Sequence, residues 1–272
     1  MTKNKEKFLL IAGAKASGKS LIRGILDGHP DLFVSPFHEL VYQSLYLDSS
    51  QNFKKKDIEQ IRAALANKGS YFQLERLSRQ DYYINISGKD YRHININFDF
   101  YSFDRSWVEN LYKSGTEWNS HDVCMSIYRS FSKHLSSSFI KSSDKKKYYC
   151  ALSNGYSNAI AGFVKTFPNS KIIYIKRDPI EIVNALIART KAPNDSRSNW
   201  FSRKLLLKKW GTYSFIRSIV DLDNEAKKVL KKFPNQILIL DFNKFFDNLK
   251  NEILKIRKFL NISDNYALKY YS

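Results

Sequence analysis

Short apolar runs separated by amphipathic stretches set the rhythm of this chain. Residues 7–12, 148–153, 171–176 and 236–241 are each a brief aliphatic or aromatic run bounded by charged or turn residues, the pattern of strands buried on both faces of a parallel sheet. Asp31-Leu32-Phe33-Val34-Ser35 is a candidate fifth strand. Between the runs, Leu21, Ile22, Ile25 and Leu26 share one helical face, and Asp27-Gly28-His29-Pro30 supplies the stop expected after a helix. Helical spacing recurs over 54–70, 105–140, 179–190, 199–230 and 246–260. In the middle, Tyr82-Tyr83-Ile84-Asn85-Ile86 and His93-Ile94-Asn95-Ile96-Asn97-Phe98 alternate as a small hairpin would. The strand-helix rhythm lapses over about 48–147, which predicts a largely helical cap inserted into a single domain spanning 1–272.

The first apolar run empties into Gly13-Ala14-Lys15-Ala16-Ser17-Gly18-Lys19-Ser20, a strand-to-helix loop of the form G-x-x-x-x-G-K-S. Glycines let successive N–H groups turn inward, the following helix points its positive end at the same spot, and Lys19 adds a full charge, so the loop predicts a phosphate-like ligand. A second basic feature ends another strand. In Lys171-Ile172-Ile173-Tyr174-Ile175-Lys176-Arg177-Asp178-Pro179-Ile180-Glu181, Pro179 opens the next helix, where its missing N–H costs nothing. Arg177 is thereby placed at the carboxyl end of a strand, where open α/β sheets bind ligands.

Charge agrees with an anionic ligand. Among 272 residues, 45 Lys and Arg against 26 Asp and Glu leave a net charge of +19, which attracts nucleotides, acidic sugars, nucleic acid or an anionic membrane surface and equally serves solubility. The 43% hydrophobic content suffices for one large core. Cys124 and Cys150 lack the spacing of a disulfide framework or zinc site and are expected to be free thiols. His93, His121 and His134 have no metal-like spacing, His29 is expected to hold a turn, and the Lys141–Lys147 run is expected to be a polar loop. The apolar run behind the basic N-terminus is too short for a signal or a membrane span, so a cytoplasmic location is expected.

In three ordered blocks the chain resembles the sulfotransferases that use 3′-phosphoadenosine 5′-phosphosulfate (PAPS). Gly13 through Pro30, with Ser17-Gly18, Leu21 and His29-Pro30, is similar to the family's 5′-phosphosulfate loop. Phe167-Pro168-Asn169-Ser170-Lys171 through Arg177-Asp178-Pro179 is similar to its 3′-phosphate motif. Ile237-Leu238-Ile239-Leu240-Asp241-Phe242-Asn243 with Ile256-Arg257-Lys258-Phe259-Leu260-Asn261-Ile262 is similar to its last strand and closing helix. The resemblance implies an α/β fold, a three-layer P-loop-type parallel sheet flanked by helices. It also implies PAPS as donor, released as adenosine 3′,5′-bisphosphate, with no metal required.

On that resemblance, Gly13, Lys15, Ala16, Ser17, Gly18, Lys19, Ser20 and Leu21 hold the phosphosulfate, and Arg177, with Ala185 eight residues beyond it and Asn184 beside that, receives the 3′-phosphate. The chain departs from the family at Ala16, where a cation is usual, and at Lys19, where Thr is usual. Lys19 or Lys15 is the replacement. Ala185 stands where the family has serine; either Asn184 compensates or discrimination for the 3′-phosphate is weaker. The glycan-modifying branches place a glutamate shortly after the H-P turn, which implies Glu39 as catalytic base, with His38 the second choice; otherwise Glu39 is a charge in the first turn of a helix over 38–47.

The implied acceptor is a small molecule or glycan, with carbohydrate favoured. Tyr82, Tyr83, Tyr91, Tyr101 and Trp107 offer flat faces for sugars, while Trp200 and Trp210 either edge the adenosine site or belong to a helix with a buried stripe. No specific nucleic acid is expected, and peripheral contact with an anionic membrane surface is open. The alternatives are an ATP/Mg-dependent P-loop small-molecule kinase, in which Asp241 imitates a metal-binding carboxylate, and a basic nucleotide- or RNA-binding module. The family pattern makes 236–241 the final strand, away from the glycine loop.

Overall fold

A computed structural model describes residues 6–38, 51–67, 96–137, 146–153, 159–191 and 209–263. The central sheet contains β1 (Lys7–Gly13), β2 (Leu32–His38), β7 (Tyr148–Leu152), β8 (Lys171–Lys176) and β9 (Ile237–Asp241), all five in parallel pairing in the order β2-β7-β1-β8-β9. All five predicted strands are therefore present. β1 is central because it is apolar on both faces. Phe8, Leu10 and Ala12 enter one core, Leu9 and Ile11 the other.

These two cores are the interfaces of a three-layer molecule. On one face pack α4 (Ser120–His134), α5 (Ala159–Thr166), α6 (Pro179–Lys191) and α7 (Lys209–Lys232), through residues including Ile127, Phe163, Ile182 and Leu222. On the other lie α1 (Lys19–Leu26), α8 (Phe242–Asp247) and α9 (Leu249–Leu260), through Ile22, Phe245 and Ile256.

The segment between β2 and β7 carries β3 (Asn52–Lys54), α2 (Ile58–Asn67), β4 (Ile96–Phe98), α3 (Phe100–Ser114), β5 (Glu117–Asn119), α4 and β6 (Leu135–Ser137). Its buried Trp107, Val123 and Phe131 share a core with Phe8 and Tyr149 of the sheet. The helical region expected over 105–140 is two helices. Gly115 ends α3 at φ +148°, and Asn119 and Asp122 form a reciprocal capping box that starts α4. Of the expected hairpin, 96–98 pairs with 135–137; residues 82–95 lie outside the described residues, as does Lys141–Lys145.

Candidate functional site

The glycine loop leaves the carboxyl end of β1, with β7 on one side and β8 on the other. The carboxyl ends of the strands are the usual ligand position in such sheets. Three residues turn the backbone through positive φ: Gly13 at +144°, Ala16 at +64° and Gly18 at +101°. Two of them also lack room for a side chain. A methyl on Gly13 would come within 2.6 Å of the Ile175 carbonyl oxygen and the Ser17 hydroxyl. One on Gly18, the residue that precedes α1, would overlap the Phe242 ring. Leu21 N–H turns back onto the Gly18 carbonyl at 3.0 Å, which leaves the Lys19 and Ser20 amides of α1 without an acceptor in the helix, at the end where its dipole is positive.

Lys19 turns inward. Its ammonium donates to the carbonyl oxygens of Gly13 at 2.6 Å and Ala14 at 2.7 Å, and burial lowers its pKa to about 8. Lys15 is exposed, as is Ser20, whereas Ala16 and Leu21 are half-buried. Of the two candidate cations, Lys19 is the one built into the loop. Ser17 is buried, and its hydroxyl has no hydrogen-bond partner among the described residues. An unfilled hydroxyl in a glycine-rich turn before a helix N-terminus suits an oxyanion ligand, so these residues fit the phosphosulfate end of PAPS.

Arg177 reaches the same loop from the tip of β8. Asp178 accepts the Ile180 amide and caps α6, with Pro179 as its first residue, so the chain turns sharply just beyond Arg177. The guanidinium is held at three places. Nη1 donates to the Ala16 carbonyl at 3.0 Å, Nε donates to Glu181 at 3.2 Å, and the ring of Phe242 lies 4.2 Å below the central carbon. Asn184 is exposed and Ala185 half-buried on α6.

The last contact qualifies an expectation. The final strand itself is at the sheet edge, with β8 between it and β1, but the residue after it, Phe242, reaches back to cover Gly18. Asp241 accepts the amides of Asn243 and Lys244 and so serves as the cap of α8. Asn243 in turn donates to Glu181 at 3.1 Å. Glu181, Phe242 and Asn243 were not singled out in the sequence as site residues, although an acidic residue in the first turn of the helix that Pro179 opens was a local signal for Glu181.

Other expectations sort clearly. Trp107 is fully buried and donates to Asp104, so it presents no face to a sugar; Tyr101 is exposed. His29 is a turn residue: Nδ1 accepts the Asp31 amide, and Nε2 faces the Ser263 carbonyl at 3.3 Å. Cys124 and Cys150 are free and buried. His38 ends β2, but its side chain is not among those described; Glu39, Tyr82, Tyr83, Tyr91, His93 and Trp200 lie outside the described residues, as does the Trp210 side chain. Among the described residues, no helix is long and apolar enough to cross a membrane.

A central parallel sheet with a glycine loop at its middle strand and an arginine at the next defines an α/β protein of the P-loop type. The chain belongs to the sulfotransferase family, whose profile matches residues 9–266. Solved structures agree on the fold. The sulfotransferase domain of the Synechococcus PCC 7002 olefin synthase aligns with a TM-score of 0.54 at 14% identity, covering 100% of this chain and 80% of that one. A sulfotransferase from Alicyclobacillus acidocaldarius aligns at 0.51 and 14% identity, covering 98% and 86%. A sulfotransferase domain from the curacin biosynthetic pathway aligns at 0.50 and 14% identity, covering 95% and 75%. Comparison with curated protein sequences finds no match.

Proposed function

We propose that this sulfotransferase uses PAPS and delivers the sulfuryl group to an acceptor hydroxyl, with carbohydrate the favoured acceptor class. The observation that carries the donor reading is the bond from Arg177 to the Ala16 carbonyl, which joins two anion-binding elements on adjacent strands. Such a pair suits a donor with charge at both ends of one adenosine. When bound, that donor supplies an activated sulfuryl group and a bisphosphate leaving group.

The chain's own residues mainly position and neutralise. Loop amides and Lys19 orient the phosphosulfate, with Ser20 adding a hydroxyl, and Arg177 takes the 3′-phosphate. A transferring sulfuryl group carries less charge than a phosphoryl group, so amides and one or two cations suffice without a metal. Glu39, next after His38 in the sequence, accepts the acceptor's proton in this reading, with His38 as the alternative. Carbohydrate is favoured by the glutamate-after-turn arrangement that resembles the glycan branches.

Thermal stabilisation tests the donor, since a ligand that binds the folded state raises its melting temperature. Adenosine 3′,5′-bisphosphate is expected to stabilise the protein more than ATP with magnesium does, and sulfate transfer from PAPS to a panel of sugars and simple alcohols is expected to persist in a chelator. Stabilisation by ATP and magnesium alone, with transfer abolished by the chelator, would refute the reading.

A further inference from the structure

Glu181 forms an ion pair with Arg177 that is favourable in itself but competes with an anionic ligand for the same guanidinium. A carboxylate beside the arginine of an anion site weakens the local positive potential and so opposes anion binding. Yet it is tied in on both oxygens: Oε2 accepts from Arg177 Nε, and Oε1 accepts from Asn243, which follows the strand that pairs with β8. Arg177 has five N–H donors. Glu181 and the Ala16 carbonyl engage two of them, Phe242 covers one face, and among the described residues the Nη2 edge is left to meet a ligand. A guanidinium fixed in this way presents its remaining donors in one direction and loses little freedom on binding.

We propose that Glu181, held by Asn243, is a positioning residue that aims Arg177 and thereby sets the preference for donors bearing a second phosphate. The inference rests on the reading of Arg177 as the 3′-phosphate ligand. It goes further in giving the start of α8 a part in donor selectivity. The alternative roles of Glu181 make opposite forecasts. If it acts only as a nearby negative charge, removing it tightens binding of every anionic nucleotide. If it aims Arg177, removing it weakens binding only where a second phosphate is present.

The experiment compares affinities for adenosine 3′,5′-bisphosphate and adenosine 5′-monophosphate by titration calorimetry in the parent, Arg177→Ala, Glu181→Ala and Glu181→Gln proteins. The parent is expected to prefer the bisphosphate, and Glu181→Ala to lose about tenfold of that preference, the size of one charge-assisted hydrogen bond. Glu181→Gln, which keeps an acceptor for Nε and can still bond Asn243, is expected to stay within about threefold of the parent. An unchanged or increased preference in Glu181→Ala, while Arg177→Ala abolishes it, would overturn this inference and leave the donor assignment standing. A parent protein with no preference would overturn both. Should Glu181→Ala fail to fold, Asn243→Ala removes the donor to Glu181 Oε1 from an exposed residue without changing the charge and is expected to lose part of the same preference, whereas an unchanged preference would overturn the inference.

Discussion

The ammonium of Lys19 lies 2.6 Å from the carbonyl oxygen of Gly13, closing the glycine loop on itself from within. Burial lowers its pKa to about 8, against about 10.5 in the unfolded chain. Between those values the unfolded chain holds a proton that the folded chain has released, so this group's contribution to stability rises with pH across that window.

Donor binding should reverse that depression. A phosphosulfate brought against the loop favours charged Lys19, so at pH 8.5 adenosine 3′,5′-bisphosphate is expected to bind with net proton uptake. Calorimetry in two buffers of different ionisation enthalpy measures this directly. Lys19→Ala is expected to abolish the uptake and to lower turnover by about 100-fold, as loss of a preorganised charge donor does. No uptake in the parent would mean that Lys19 braces the loop without sensing the ligand.

Gly18→Ala is a test of the Phe242 contact. The new methyl meets both a positive φ and the aromatic ring, so the ring must shift and Arg177 loses its support. The φ penalty alone is about 1–2 kcal/mol. Donor affinity is expected to fall at least tenfold and the melting temperature to drop; a fully active variant with parental stability would show that the ring moves freely.

Asp27 gives a pH signature of opposite sign. Burial, opposed by the Gly28 amide and by Arg23, raises its carboxyl from an ordinary value to about 6. The folded chain then keeps a proton between about pH 4 and 6 that the unfolded chain releases, so stability falls as pH rises through that interval. Asp27→Asn retains an acceptor for Gly28 and is expected to stabilise the protein at pH 7.5 by about 1 kcal/mol, roughly 2–4 °C in melting temperature. Near pH 4 the gain should vanish, which thermal scans at both pH values will check.

Trp107 separates core from site. It is fully buried, with its indole N–H on Asp104, so Trp107→Ala is expected to cost about 3–5 kcal/mol. Below the lowered melting temperature, affinity for adenosine 3′,5′-bisphosphate should be unchanged. A specific loss of acceptor binding at full stability would restore this residue to the acceptor surface.

Legibility followed the range of the interactions. β1 and its loop were readable because a strand buried on both faces is continuously apolar, and Gly13 and Gly18 mark the positive-φ positions locally. Arg177 was readable from a strand ending before Pro179. Its bond to Ala16 was not, because that contact depends on β8 being the neighbour of β1. The same lateral order brings Phe242 to Gly18, which periodicity along one segment cannot express. The break at 115–119 did have local signals, Gly115 and the Asn119 box, but apolar spacing that ran on through Trp118 and Val123 masked them.

Ala16 adopts a left-handed turn without being glycine, and its carbonyl is what Arg177 grasps. The loop and the arginine are therefore a mechanical unit whose two halves lie 161 positions apart. Transplanting the loop into a distant homologue would carry over the cradle without its anchor. A working graft has to bring the tip of β8 with it.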